Sequence, residues 1–188
     1  MNAISTLETR VNGIAVEDVK GLIEQVAANP AAGLTRWRVA NSWQGQMRSR
    51  ASVEGFGIGG QKVDRRFQFD LDEPLQLGGS NQRANPQEHL LGALNACMTV
   101  GFVALCALEG YEIERLEIVT EGDIDLRSFL GLDAAVAPGY ERLNTTMTVK
   151  GSAPAEDFQA IFEAMLATSP NFANLTRPIA VTPKLVVA

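Results

Sequence analysis

Histidine and cysteine are scarce here: the 188 residues hold one histidine and two cysteines. A structural zinc site takes about four ligands at characteristic spacings, so that class is excluded, and neither a metal nor a cofactor is expected. Two cysteines also fall short of a disulfide framework and read as free thiols of a reducing compartment. Basic residues are outnumbered, with 16 Lys and Arg against 22 Asp and Glu and a net charge of -6. A nucleic-acid backbone needs a basic surface to displace its counterions, so that partner is excluded. No apolar run reaches the roughly 18 residues free of polar breaks that would span a bilayer, because Asn95, Thr99 and several glycines interrupt the longest one. The opening residues MNAISTLETRV lack the basic and apolar regions of a signal peptide. The expectation is a cytoplasmic protein without membrane or nucleic-acid partners.

What remains is an ordinary globular composition, 46% hydrophobic and 20% charged, with one dominant stretch. Asn85 to Gly110 reads NPQEHLLGALNACMTVGFVALCALEG. Pro86 fits the first turn of a helix and Gly110 the residue just past its end. The helix between them holds about 23 residues and, at 1.5 Å each, runs about 35 Å. Its apolar residues leave no clearly polar face, which predicts a helix enclosed by protein. Cys97 and Cys106 lie nine residues apart on it, about 13.5 Å along the axis and on opposite faces, too far for a disulfide. From the residues alone both read first as small core hydrophobes.

Around this helix the chain divides by period. Residues 1–33 read as an appendage with an amphipathic helix, since Val16, Val19, Leu22, Ile23 and Val26 form one stripe that Asn29-Pro30 ends. From Trp37 to Leu71 the period is two, with the glycines of Gly55 to Gly60 as turns, which predicts three antiparallel strands. The GFGIGG run lacks the Lys-Ser/Thr of a phosphate loop. After the long helix, strands are expected from Ile113 to about Leu126 and over Leu143 to Val149, with residues 128–139 as a loop. A last helix opens at Pro154, buries Phe158, Ile161, Phe162, Met165 and Leu166, and stops at Ser169-Pro170. Ile179 to Val187 reads as a closing strand, with Pro183 marking an edge or a bulge. The class is α+β.

Asn85-Pro86-x-Glu88 followed by Leu90-Leu91-x-Ala93-Leu94-x-Ala96-Cys97 resembles the signature of the OsmC/Ohr family, the osmotically inducible and organic hydroperoxide resistance proteins. Similarity runs from Trp43-x-Gly45 through Asp72-Glu73-Pro74 and Glu121-Gly122-Asp123-Ile124-Asp125-Leu126 to Ser169-Pro170-Asn171-Phe172. The resemblance implies an OsmC-like domain over residues 34–188, with antiparallel sheets packed around the long buried helix, and a helical extension over residues 1–33. It also implies an entwined homodimer with the long helix at the interface. In the peroxidase members the cysteine at the place of Cys97 attacks the peroxide bond, an arginine and a glutamate hold it as a thiolate, and a second cysteine resolves the sulfenic acid.

Two positions depart from that pattern. The second cysteine is replaced by Ser169, and the carboxylate that directly follows Asn-Pro is replaced by Gln87, with Glu88 one residue and about 100° further round. Glu88 either serves the site or compensates the positive helix end. Arg48, Arg50 and Arg66 fall where different branches of the family supply the arginine, and Arg48 is taken as the expected one. The expected catalytic set is Cys97, Glu88 and Arg48. His89 reads as structural. Two functions stay open: a one-cysteine peroxidase reducing an organic hydroperoxide with an external thiol reductant, and a redox-inactive dimer binding a small hydrophobic ligand.

Overall fold

A computed structural model describes residues 10–187; the first nine residues of the expected extension lie outside that range. The elements in order are strands β1 (Arg10–Val11) and β2 (Ile14–Ala15), helix α1 (Val16–Ala28), a 3-10 turn at Pro30–Gly33, and strands β3 (Thr35–Trp37), β4 (Ala40–Trp43), β5 (Ser49–Ile58) and β6 (Gln61–Leu71). A second 3-10 turn at Leu75–Leu77 leads to helix α2 (Pro86–Leu108), followed by strand β7 (Ile113–Glu121), helix α3 (Leu126–Phe129), strand β8 (Asn144–Gly151) and helices α4 (Ala155–Thr168) and α5 (Pro170–Thr176). This is the expected mixture of antiparallel sheets and helices. The chain forms two compact units that meet between Gly92 and Ala93, inside α2.

In the first unit β5 is the spine. Its far half pairs with β3 (Trp37 opposite Phe56), its near half with β4 (Trp43 opposite Ser49), and its other edge with β6 along its whole length. Four strands form where three were expected, because the chain breaks at Arg38-Val39 and puts Trp37 and Trp43 on separate strands. The break faces the irregularity between Val53 and Gly55, where β5 changes register against β6. A partner that follows one half of a bulged strand cannot follow the other. Gly55 is required there: a Cβ would lie 2.6 Å from the carbonyl oxygen of Val63. The GFGIGG run is a hairpin connection, as read.

After β6 the chain is gathered by one carboxylate. Asp72 is fully buried and accepts hydrogen bonds from the Ser80 hydroxyl at 2.6 Å, the Ser80 N–H at 3.2 Å and the Gln82 N–H at 3.0 Å. These bonds hold its carboxyl well below the ordinary carboxylate range, with the Ser80 hydroxyl contributing most. The loop is thereby pinned at both ends, and its tightest point tolerates only glycine, since a Cβ on Gly79 would sit 1.8 Å from the Glu73 carbonyl oxygen.

In the second unit α2 buries a single stripe. Leu94, Met98, Phe102 and Cys106, spaced by four, pack with Ile161 and Met165 of α4, and Ile113, Leu116 and Ile118 of β7 border them. Asn95 ties the helix to the β7–β8 hairpin: its Nδ2 donates to the Ile118 carbonyl at 3.2 Å, and its Oδ1 accepts the Thr120 hydroxyl at 2.6 Å. The helix is therefore not enclosed all round within one chain, and Val100 stays 70% exposed. By length and composition α2 is also apolar enough to cross a bilayer, against the reading that its polar breaks forbid this. Two polar side chains are too few to offset the leucines, valines and phenylalanine around them, and core helices pass the same test.

Three further expectations are corrected. Ile179 to Val187 forms no strand; Pro178 and Pro183 remove backbone donors, and Val181 and Leu185 are exposed. The strand expected to run to about Leu126 ends at Glu121, and Leu126–Phe129 form the short α3, which Asp125 caps by accepting the Arg127 N–H. Ser169-Pro170 ends α4 but also starts α5, with Ser169 as the cap and Pro170 in the first turn.

Candidate functional site: the Cys97 thiol

Cys97 and Cys106 differ in surroundings although they share a helix. Cys106 is fully buried in the core stripe, and burial pushes its thiol up to about 11 from an ordinary 9.0. A thiol held neutral and sealed in the core has no access to an electrophile. Cys97, three residues after Leu94 of that stripe, is half-buried.

The neighbour of Cys97 is Ser169. Its hydroxyl donates to Cys97 Sγ at 3.4 Å, while the same oxygen accepts the Phe172 N–H at 3.4 Å as the cap of α5. Ser169 is itself 4% exposed. Its oxygen is thus held by the cap, and its one hydrogen is directed at the sulfur. The start of α5 is fastened to α2 by Asn171 Nδ2, which donates to the Ala93 carbonyl at 2.9 Å. Position 169 was read from the sequence as a missing resolving thiol and as part of a helix stop. Its contact with Cys97 joins residues 72 apart in the chain, which no local pattern encodes.

The other expected site residues lie in the first unit with partners of their own. Glu88 forms a reciprocal cap with Asn85: its Oε2 accepts the Asn85 N–H at 2.7 Å, and its N–H donates to Asn85 Oδ1 at 2.8 Å. This capping box satisfies two otherwise free donors at the entry of α2. Arg48 Nη2 donates to the Gln44 carbonyl at 3.2 Å in the β4–β5 turn. Arg50 makes a bidentate pair with Asp70, Nε to Oδ1 at 2.7 Å and Nη2 to Oδ2 at 3.1 Å. Arg66 lies on exposed β6. His89 packs structurally, its Nδ1 2.9 Å from the Asn85 carbonyl and its ring stacked on Phe69 at 5.4 Å. Among the described residues no group of three or more His, Cys, Asp or Glu could hold a metal ion.

A half-buried thiol with a committed hydroxyl donor can act as a nucleophile toward a small electrophile, and a sulfur with no second cysteine beside it has no internal route to a disulfide. No curated protein matches the chain. Among solved structures, an OsmC-like protein from Mycoplasma pneumoniae superposes with a TM-score of 0.59 at 13% identity, covering 75% of this chain and 87% of its own. An OsmC-like protein of unknown function from Vibrio cholerae O1 biovar eltor does so with a TM-score of 0.55 at 10% identity, covering 74% and 92%. The family model described as OsmC-like protein matches residues 79–184, more than half of the chain.

Proposed function

Because the chain belongs to the OsmC-like protein family, we propose that it is a thiol-dependent peroxidase that reduces organic hydroperoxides at Cys97 and is recycled by an external thiol. The observation that carries this reading is the hydrogen bond from the Ser169 hydroxyl to Cys97 Sγ. A hydroxyl 3.4 Å from the sulfur orients the nucleophile, and later accepts from or donates to the oxygen that the sulfur acquires.

In the proposed cycle the Cys97 thiolate attacks one oxygen of the hydroperoxide and breaks the O–O bond. The sulfur gains that oxygen as a sulfenic acid, and the remaining alkoxide leaves with a proton as the alcohol. One external thiol then condenses with the sulfenic acid, releasing water and forming a mixed disulfide. A second external thiol reduces it, restoring Cys97 and leaving the external disulfide. Two thiols are thus oxidised for each hydroperoxide reduced. Serine at position 169 makes the external step obligatory, since no resolving thiol lies beside Cys97. Glu88 contributes by fixing the first turn of α2 rather than by touching the reacting atoms. The working protein in this reading is a homodimer, a proposal supported by the apolar side chains that one chain leaves exposed.

The test is consumption of cumene hydroperoxide by purified protein under dithiothreitol, beside Cys97→Ser and Cys106→Ser. Turnover that persists in Cys106→Ser and falls to the rate of free dithiol in Cys97→Ser is the expected result. Wild type indistinguishable from Cys97→Ser would overturn it and leave the binding of a small hydrophobic molecule as the function to pursue.

A further inference from the structure

The polar side of the first unit holds a concentration of positive charge that thiol chemistry does not use. A cavity of about 290 Å³ opens between the β4–β5 turn, the end of β6 and the loop before α2, lined among others by Gln44, Arg48, Arg50, Asp70, Gln82 and Arg83. Three guanidiniums against one carboxylate leave it doubly positive, in a chain whose net charge is -6. Arg50 and Asp70 satisfy each other through their bidentate pair. Arg48 and Arg83 do not take part in it. Each gives one N–H to a backbone carbonyl, Arg48 to Gln44 at 3.2 Å and Arg83 to Gln82 at 2.7 Å. Neither has a carboxylate partner among the described residues, and a guanidinium carries five N–H donors in all. Their fields converge on the cavity: the Asp70 carboxyl is lowered first by its hydrogen bond from Arg50, with the charges of Arg83 and Arg48 adding to it.

Both guanidiniums also stand on fixed backbone. The β4–β5 turn is closed by Gln44 N–H to the Arg48 carbonyl at 2.9 Å and Arg48 N–H to the Gly45 carbonyl at 3.1 Å. The Arg83 segment is anchored by the buried Asp72, which holds the neighbouring Gln82 N–H at 3.0 Å. Ordering cost is therefore spent before any ligand arrives.

We propose that this cavity binds a small phosphate monoester, its dianion bridging Arg48 and Arg83. A dianion matches the double positive charge, where a single carboxylate would leave half of it uncompensated. Guanidinium forks are suited to the paired oxygens of phosphate. The volume lies at the small end of ligand pockets, which limits the organic part to a few carbons. The proposal rests on the cavity alone and stands whether or not Cys97 is a peroxidatic thiol.

The test is calorimetric titration of the full chain with glycerol 3-phosphate at constant ionic strength, with glycerol as the uncharged control. Saturable binding of the ester and none of glycerol is expected. Arg48→Gln and Arg83→Gln should each weaken it about tenfold, the loss of one charge-assisted contact. Asp70→Asn, which removes the competing carboxylate and frees Arg50, should tighten it severalfold. Matching unfolding midpoints would show that the variants fold. Ester binding no stronger than that of glycerol, or unchanged in both arginine variants, would overturn the proposal.

Discussion

At the scale of single residues, Ser169 changes meaning between sequence and structure. In sequence it marks the loss of a second cysteine. In the fold it caps α5 and donates its only hydrogen to Cys97 Sγ at 3.4 Å. Cys97 was legible as the candidate thiol because it follows a recognisable run on a recognisable helix. The hydroxyl was not, since a side-chain contact across the chain leaves no spacing to read. Glu88 was half legible: Asn-Pro-x-Glu already has the spacing of a capping box, and the structure shows that geometry made on both sides. Ser169→Ala removes the hydroxyl donor at the sulfur and should slow alkylation of Cys97 by iodoacetamide by about fivefold, the loss of one ordinary hydrogen bond of about 1 kcal/mol, read by mass spectrometry in the Cys106→Ser background. Ser169→Cys should do the opposite of a silent change: on exposure to one equivalent of hydroperoxide it should lose two hydrogens as an internal disulfide, which Cys97→Ser then prevents. An unaltered alkylation rate in Ser169→Ala would show that the hydroxyl serves the α5 cap alone.

At the scale of elements, the helices and long strands followed their periods, and the departures have local causes. The α1 helix and the spacing of Phe158, Ile161, Phe162 and Met165 on α4 were readable from their period, and the start of α2 from Pro86. Ser169-Pro170 was readable only as a stop, although the same pair is a good start for α5. The final apolar run alternates like a strand, yet a strand requires an edge as well as a pattern. The buried stripe of α2 makes a pH prediction. Cys106 sits in it with its thiol raised to about 11, while the unfolded chain ionises it near the ordinary 9.0. Between those values the unfolded state binds fewer protons than the native state, so stability falls as pH rises through the window, and below it the contribution is fully present. Urea unfolding from pH 8 to 11 should show the difference between wild type and Cys106→Ser shrinking as pH rises. A difference constant across that range would place the Cys106 thiol in a more polar setting than the core of Leu94, Met98 and Phe102.

At the scale of the whole molecule, burial within one chain is incomplete in a patterned way. The composition of α2 predicts a helix covered on every side, but a single chain buries chiefly its Leu94–Met98–Phe102–Cys106 stripe and leaves Val100 70% exposed. In the first unit, Trp43 is 77% exposed, and Trp37, Phe67 and Phe69 also face solvent. Arg65 covers part of that surface, stacking its guanidinium over Phe56 at 4.9 Å and Phe67 at 5.4 Å. Scattered apolar residues on a surface are ordinary, but so many large aromatic and aliphatic side chains left in water by one chain support the proposed homodimer. A second copy of the chain presents the same two kinds of surface, so a closed pair can cover both without a foreign partner. Sedimentation equilibrium at micromolar protein should therefore return twice the 20.2 kDa chain mass. Val100→Glu, which places a charge on the uncovered side of α2 while leaving its core stripe untouched, should move that mass toward the single chain. A wild-type protein that sediments as one chain would mean that these side chains stay in water, and the apolar excess of α2 would then need another occupant.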